Sequence, residues 1–232
     1  MQIASYIDHT ILKPTTTQIE IKKVCEEALL YKFAAVCIPP PMVRQAGERL
    51  SGSGVKTATV IGFPFGYSVR QAKQAEAEQA IIDGADELDA VINLVALKDG
   101  DWKYLENEML AITGLAHDQG KLVKVIIESG LLNREEIIRC CGLYGGIGVD
   151  FVKTSTGYAE KGASVDDVRL MREYLPAPVR IKASGGIRNY NFARELIAAG
   201  ADRLGCSASV EIVKGETAEE AGRSGRETAA GY

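Results

Sequence analysis

Eight short apolar runs, each closing on a small or polar residue, set the tightest limit on what this chain can fold into. They are "YIDHT" (6–10), "AAVCI" (34–38), "TATVIGF" (57–63), "ELDAVINL" (87–94), "KLVKVIIES" (121–129), "VDFVKTS" (149–155), "VRIKAS" (179–184) and "DRLGCS" (202–207). Several are apolar throughout rather than alternating, the pattern of parallel strands covered on both faces. Helical patterns separate them, as in 68–85 and 189–201, and both of these reach a glycine just before the next strand, where helix C-termini favour one. With His9, Cys37, Gly62, Asn93, Glu128, Lys153, Lys182 and Gly205 taken as the C-terminal ends of the runs, neighbours lie 23 to 35 residues apart. That is one strand–helix unit repeated eight times, and it predicts an α/β chain folded as a single-domain (β/α)8 TIM barrel. An open doubly wound sheet is the alternative. It normally carries GxGxxG after its first strand; the motif is absent, and "IGFPFG" (61–66) has the wrong spacing. The barrel is expected over 1–213. From Lys214 the composition shifts to "KGETAEEAGRSGRETAAGY", read as a flexible C-terminal tail over 214–232.

Composition removes other classes. A formal net charge of −4 over 232 residues advertises no basic surface for nucleic acid. No apolar run approaches the length of a membrane span, and "MQIASYIDHT" lacks the basic and apolar regions of a signal peptide. The five cysteines, Cys25, Cys37, Cys140, Cys141 and Cys206, form no CxxC pair and no Cys/His cluster of zinc spacing. Reduced thiols in a cytoplasmic protein are the expectation.

Two lysines carry the chemistry. Lys153 in "FVKTSTGY" and Lys182 in "VRIKASGG" each close an apolar run ahead of hydroxyl residues and glycine. In a barrel of this kind the C-terminal strand ends line the active site. A single such lysine reads equally well as a side chain reaching solvent at the rim; two on consecutive strands favour a site. One sequence does not set the register between strands, so the meeting of the two ammonium groups is an expectation. A second cation nearby, or burial, disfavours the ammonium form, and a lysine so depressed can attack a carbonyl. The proton transfers of such chemistry need a carboxylate. Asp89, inside the apolar run "ELDAVINL", is the candidate; its other reading is an aspartate in a structural ion pair.

Three glycine turns follow the last three strands: "STG" (155–157), "SGG" (184–186) and "GCSAS" (205–209). Glycine lets backbone N–H groups approach an anion, and barrel enzymes often hold phosphate after strands seven and eight. Arg188 adds charge there, or is an exposed residue at a helix start.

With these residues in view, the chain resembles the deoxyribose-phosphate aldolases, a class I aldolase family. The resemblance is carried in order by "IDHTILKP" (7–14), "AVCIPP" (35–40), "IGFPFG" (61–66), "ELDAVINL" (87–94), "KVIIESGLL" (124–132), "FVKTSTGY" (151–158), "GASVDDVRLMR" (162–172), "IKASGGIR" (181–188) and "DRLGCSASVEIVKG" (202–215). It implies that Lys153 forms the Schiff base, that Lys182 stays protonated and depresses its pKa, and that Asp89 works with Lys182 and a water in proton relay. Asp8, Thr10, Cys37, Lys124 and Thr154 match positions around the substrate. Gly157, Gly185, Gly186, Gly205 and Ser207 match positions that bind phosphate. Some members end in a tyrosine proposed to assist proton transfer, which points to Tyr232. The implied reaction is reversible cleavage of 2-deoxy-D-ribose 5-phosphate to acetaldehyde and D-glyceraldehyde 3-phosphate, with no metal and no organic cofactor. Members are often dimeric, so a homodimer is the assembly to look for. This chain departs from the pattern at Tyr158, where some relatives carry a lysine near the phosphate, at Ala208, which offers no hydroxyl, and at Ser129, where threonine is common.

Other readings remain open at this level. One is a related Schiff-base barrel aldolase with a different donor. Another is a non-catalytic barrel that binds a sugar phosphate. A metal-dependent aldolase ranks lower, because His9 and His117 have no ligand spacing. His9 itself reads as a packed neutral histidine.

Overall fold

Every apolar run contains a strand. In the computed structural model, which describes residues 2–229 and side chains as far as Glu219, the order is β1 (Ile7–Thr10), α1 (Gln18–Tyr31), β2 (Ala35–Ile38), α2 (Val43–Leu50), β3 (Lys56–Ile61), α3 (Arg70–Ile82), β4 (Glu87–Val91), α4 (Leu94–Lys98), α5 (Trp102–His117), β5 (Leu122–Ile126), α6 (Arg134–Ile147), β6 (Phe151–Lys153), α7 (Val165–Tyr174), β7 (Arg180–Ser184), α8 (Tyr190–Ala198), β8 (Arg203–Cys206) and α9 (Ser209–Ala229). Each strand pairs in parallel with the next, and β8 pairs with β1, so the sheet closes into an eight-stranded barrel. Side-chain caps start the helices: Thr17 and Glu20 form a reciprocal capping box on α1, and Asn133 and Glu136 form one on α6. Among the described residues no helix is long and apolar enough to cross a membrane.

Three boundaries differ from the sequence expectation. The run 87–94 does not continue as strand to its end, because the Asn93 side chain accepts from the N–H of Ala96 and starts α4. The β5 strand stops at Ile126, and Glu128 takes a left-handed backbone at φ 54. Helix α9 runs through Lys214 without a break, and the Glu216 carboxylate accepts from the N–H of Ile3 at 3.1 Å. Helix α9 thus continues past Lys214, with Glu216 bonded to the N-terminal segment. Tyr232 lies outside the described residues.

Alternation along the strands divides two environments. Outward residues such as Ile7, Val36, Leu88, Val125, Val152, Ile181 and Leu204 join the helices in one large apolar core. The inward residues split by strand. On β2 and β3 they are Ala35, Cys37, Ala58 and Val60, a small apolar cluster joined by Leu12 and Phe63. On the other six strands they include Asp8, Glu87, Asp89, Lys124, Lys153, Lys182 and Arg203, whose charged groups meet one another.

A second buried ion pair ties the helices to the strand ends. Lys73 on α3 and Glu108 on α5 are fully buried and meet at 2.8 Å. Lys73 Nζ also donates to the Val91 carbonyl at 2.8 Å, and Glu108 accepts from the N–H of Asn93 at 3.2 Å. Both helices thus grip the exit of β4. Burial lowers the Lys73 pKa and raises that of Glu108, each against the pull of its partner. Lys73→Met is expected to destabilise the fold by about 3 kcal/mol, the low end for breaking a buried pair, because the stranded Glu108 can take up a proton. Adding Glu108→Leu should recover part of that loss. Chemical-denaturation midpoints read both, and a single variant as stable as the wild type would contradict the clamp.

Candidate active site

The register answers the question about the lysines. Lys153 and Lys182 are direct partners across β6 and β7, so both side chains leave the sheet on the same face. They converge on one atom: Asp89 Oδ2 lies 2.8 Å from Lys153 Nζ and 2.6 Å from Lys182 Nζ. The two nitrogens therefore cannot be farther apart than the sum of those contacts. Asp89 Oδ1 accepts from Lys124 Nζ at 2.8 Å. Below them Lys124 meets Glu87 at 2.5 Å, Lys182 meets Asp8 at 2.5 Å, and Arg203 pairs with both Asp8 and Glu87. The Arg203 guanidinium also lies 5.9 Å from the centre of the Phe151 ring. Gly205 leaves room for this packing, since a Cβ there would stand 2.8 Å from Ser184 Cβ and 3.2 Å from Lys182 Cε.

Electrostatics separates the lysines. Burial lowers the Lys153 pKa and the Lys182 cation lowers it further, with Asp89 pulling the other way. Burial would lower Lys182 too, but Asp8 and Asp89 outweigh it and hold its pKa above the ordinary lysine range. Burial opposes ionisation of Asp89, yet Lys124, Lys153 and Lys182 keep its carboxyl well below the ordinary value. Charge counting agrees. Lys124, Lys153, Lys182 and Arg203 are four cations against the carboxylates of Asp8, Glu87 and Asp89. The group is neutral when Lys153 is the free amine.

Of these seven groups, Lys153 opens onto a cavity of about 220 Å³. Thr10, Thr156, Gly157, Gly185, Gly186, Arg188, Gly205 and Ser207 line it from strands β1 and β8 and the loops beyond β6, β7 and β8. Among the described hydrogen bonds, none takes the backbone N–H of Gly157, Gly185, Gly186 or Ser207 to a protein acceptor. The wall is therefore rich in open donors, with the exposed Arg188 at its edge. Gly185 makes the wall possible: its φ is 87°, and its carbonyl would be 2.3 Å from a Cβ at Gly162.

The remaining residues singled out in the sequence fall in different places. Cys37 is buried beside the cluster, its Sγ 3.9 Å from Asp89 Oδ2, and burial raises its pKa. Asp8 and Lys124 are fully buried beneath Asp89. Thr154 is not at the cavity wall; its hydroxyl accepts from the Ser184 N–H at 3.1 Å and joins the two strand ends. Tyr158 leans away, donating from its hydroxyl to the Leu12 carbonyl at 2.8 Å, with its ring edge-on to Phe63. His9 faces the helices, between Ser209 Oγ and Glu27 at 2.8 Å each. Sequence reasoning missed Glu87 and Arg203. Glu87 was within reach, because it lies two residues before Asp89 and so shares its face of β4.

An amine whose pKa is lowered inside a barrel, open to a small cavity, can add to a carbonyl carbon more readily than a rim lysine. The chain accordingly falls among the class I aldolases, which are carbon–carbon lyases. A family profile described as DeoC/LacD family aldolase matches residues 2–207. A protein of Thermococcus gammatolerans named deoxyribose-phosphate aldolase is 51% identical over 217 residues, 93% of this chain and 96% of that one. One of Streptococcus gordonii with the same name is 50% identical over 218 residues, 94% of this chain and 98% of that one. The structure of the tetrameric deoxyribose phosphate aldolase of Aeropyrum pernix superimposes with a TM-score of 0.86 at 33% identity, covering 91% of this chain and 89% of that one. The chain belongs to the DeoC/LacD aldolase family.

Lys182→Met is expected to raise the pKa of Lys153 toward about 10.4. The sign follows from charge. One ammonium disfavours a second beside it, so removing the Lys182 cation favours the protonated form of Lys153 and leaves Asp89 to stabilise it. The reactive limb should therefore move to higher pH, and labelling at pH values below it should fall about tenfold for each unit of rise. Labelling of Lys153 by a small amine-reactive reagent, followed against pH by peptide mass spectrometry, measures the limb. A limb that stays in place or moves to lower pH would overturn the assignment.

Proposed function

We propose that this chain cleaves 2-deoxy-D-ribose 5-phosphate reversibly to acetaldehyde and D-glyceraldehyde 3-phosphate through a Schiff base on Lys153. The observation that carries the reading is the shared contact of Lys153 and Lys182 with Asp89 Oδ2. The open donors of the glycine turns support a phosphate at the far end of the substrate. The names of the relatives support the sugar.

The free amine of Lys153 adds to the C1 aldehyde of the open-chain sugar, and loss of water leaves an iminium. A base takes the proton of the C3 hydroxyl, the C2–C3 bond breaks, and its electron pair moves toward the iminium nitrogen to give an enamine. Glyceraldehyde 3-phosphate leaves. The enamine takes a proton at C2, and water returns to release acetaldehyde and the amine, so the water lost is regained. Asp89 and Lys182 stand where they can pass protons to and from a water beside Lys153. Burial and Lys182, itself held as the ammonium by Asp8 and Asp89, favour the free amine of Lys153 between turnovers. The apolar inner face of β2 and β3, with Cys37 and Val60, suits the two-carbon fragment. No metal or organic cofactor is required by this sequence of steps, and a homodimer is the assembly proposed with it, which sedimentation velocity would check.

Borohydride reduction in the presence of acetaldehyde should leave an ethyl group on Lys153, absent without reductant and located by peptide mapping. Lys153→Ala should lose both the adduct and cleavage of 2-deoxyribose 5-phosphate while keeping a wild-type circular dichroism spectrum. Label scattered over surface lysines, or cleavage retained by Lys153→Ala, would sink the mechanism.

A further inference from the structure

The exit of β5 places a carboxylate behind the anion-binding turn. The Ile127 N–H bonds the Lys153 carbonyl at 3.0 Å and the Ser129 N–H bonds the Thr154 carbonyl at 2.7 Å, so the chain on either side of Glu128 is pinned to the end of β6. Between those two bonds Glu128 adopts φ 54 and ψ 58, a left-handed conformation that costs an L-residue about 1 kcal/mol. The geometry buries its side chain, which is 2% exposed, and aims it at the 155–157 turn. Both oxygens accept from the N–H of Thr156, at 3.3 and 3.2 Å, and Oε2 also accepts from Thr156 Oγ1. Thr156 Oγ1 in turn accepts from the N–H of Tyr158 at 3.1 Å. A hydroxyl has one proton, and here it goes to Glu128, so the direction of the relay is fixed.

The relay sorts the amides of the turn. The N–H groups of Thr156 and Tyr158 are consumed inside the protein, while that of Gly157 between them, at φ 88, has no protein acceptor among the described hydrogen bonds. Gly157 lines the cavity. We propose that Glu128 is a positioning residue for phosphate recognition: by holding Thr156 and, through it, Tyr158, it presents the Gly157 amide to the phosphate of the substrate. It touches neither substrate nor the reacting atoms. Burial raises its pKa against the pull of its bonds to Thr156. The inference rests on the reading that this cavity takes a phosphorylated sugar.

The test compares 2-deoxyribose 5-phosphate with unphosphorylated 2-deoxyribose for the full chain. Glu128→Ala is expected to raise KM for the phosphorylated sugar about tenfold, equivalent to the loss of one good hydrogen bond to a charged group. The kcat/KM for 2-deoxyribose and the yield of trapped acetaldehyde on Lys153 should stay within about twofold, since a phosphate amide plays no part in either. Glu128→Gln keeps an accepting oxygen for the Thr156 N–H and should recover most of the loss. Thr156→Val cuts the hydroxyl relay but leaves the Thr156 backbone bond, and should raise the same KM by a smaller factor; it decides the matter should Glu128→Ala not fold. An unchanged KM in the folded variants, or an equal loss with both sugars, would overturn the role of Glu128. A wild-type chain that does not prefer the phosphorylated sugar would instead overturn the phosphate reading itself.

Discussion

Among the described residues, four basic side chains and three carboxylates share the inside of the barrel, and the charge state of each depends on its neighbours. Isolated charges in such a place would lose several kcal/mol of hydration apiece. What offsets the loss is a chain of contacts in which every carboxylate serves at least two cations. Asp89 serves Lys124, Lys153 and Lys182, and Asp8 serves Lys182, Arg203 and, at a longer reach, Lys124. The arrangement leaves one basic group in excess of the carboxylates, and Lys153, whose pKa burial and Lys182 lower, is the one at the cavity.

That imbalance gives two lysines of the same intrinsic basicity opposite behaviour. Lys182 has two carboxylates close by and is held as an ammonium. Lys153 has a share of one, a cation beside it and, among the described residues, no further counter-charge within contact. Pairs of like groups pushed apart by environment mark acid–base assignments in many active sites. Here the push comes from counting charges as much as from burial. The glycine turns add little charge of their own. They contribute direction, by leaving four amides with no acceptor among the described hydrogen bonds around a small cavity.

Much of this was legible before the structure. Apolar runs at near-constant spacing determine a repeating strand–helix unit, so the barrel and the strand-end positions of Lys153 and Lys182 could be read directly. Asp89 stood out because an aspartate in an apolar strand must have a partner. Register was not legible, since it arises from pairing between strands far apart in sequence, and it is register that sets Lys153 opposite Lys182. Arg203 escaped because it looks like an ordinary first residue of a strand, and its meaning depends on Asp8 arriving from the other end of the chain. Glu128 escaped for a different reason. A left-handed glutamate has no signature in sequence, and its partner, Thr156, lies on the next strand's loop. The apolar run ending at Leu94 misled because Asn93 turns it into a helix, a choice made by one side-chain oxygen. The polar composition after Lys214 hid the helix that Glu216 fastens to the N-terminal segment.

The placement of every inner charge on one face of its strand has a consequence for how the chain reaches this state. Sliding β6 by one residue would swing Lys153 into the apolar layer beneath the helices and leave Asp89 short of a cation. The same holds for β4, β5, β7 and β8. Misaligned strands would leave these charges buried without partners, at a cost of several kcal/mol each. The ionic cluster acts as a set of alignment pins: a barrel closed in this register brings Lys153, Lys182 and Asp89 together.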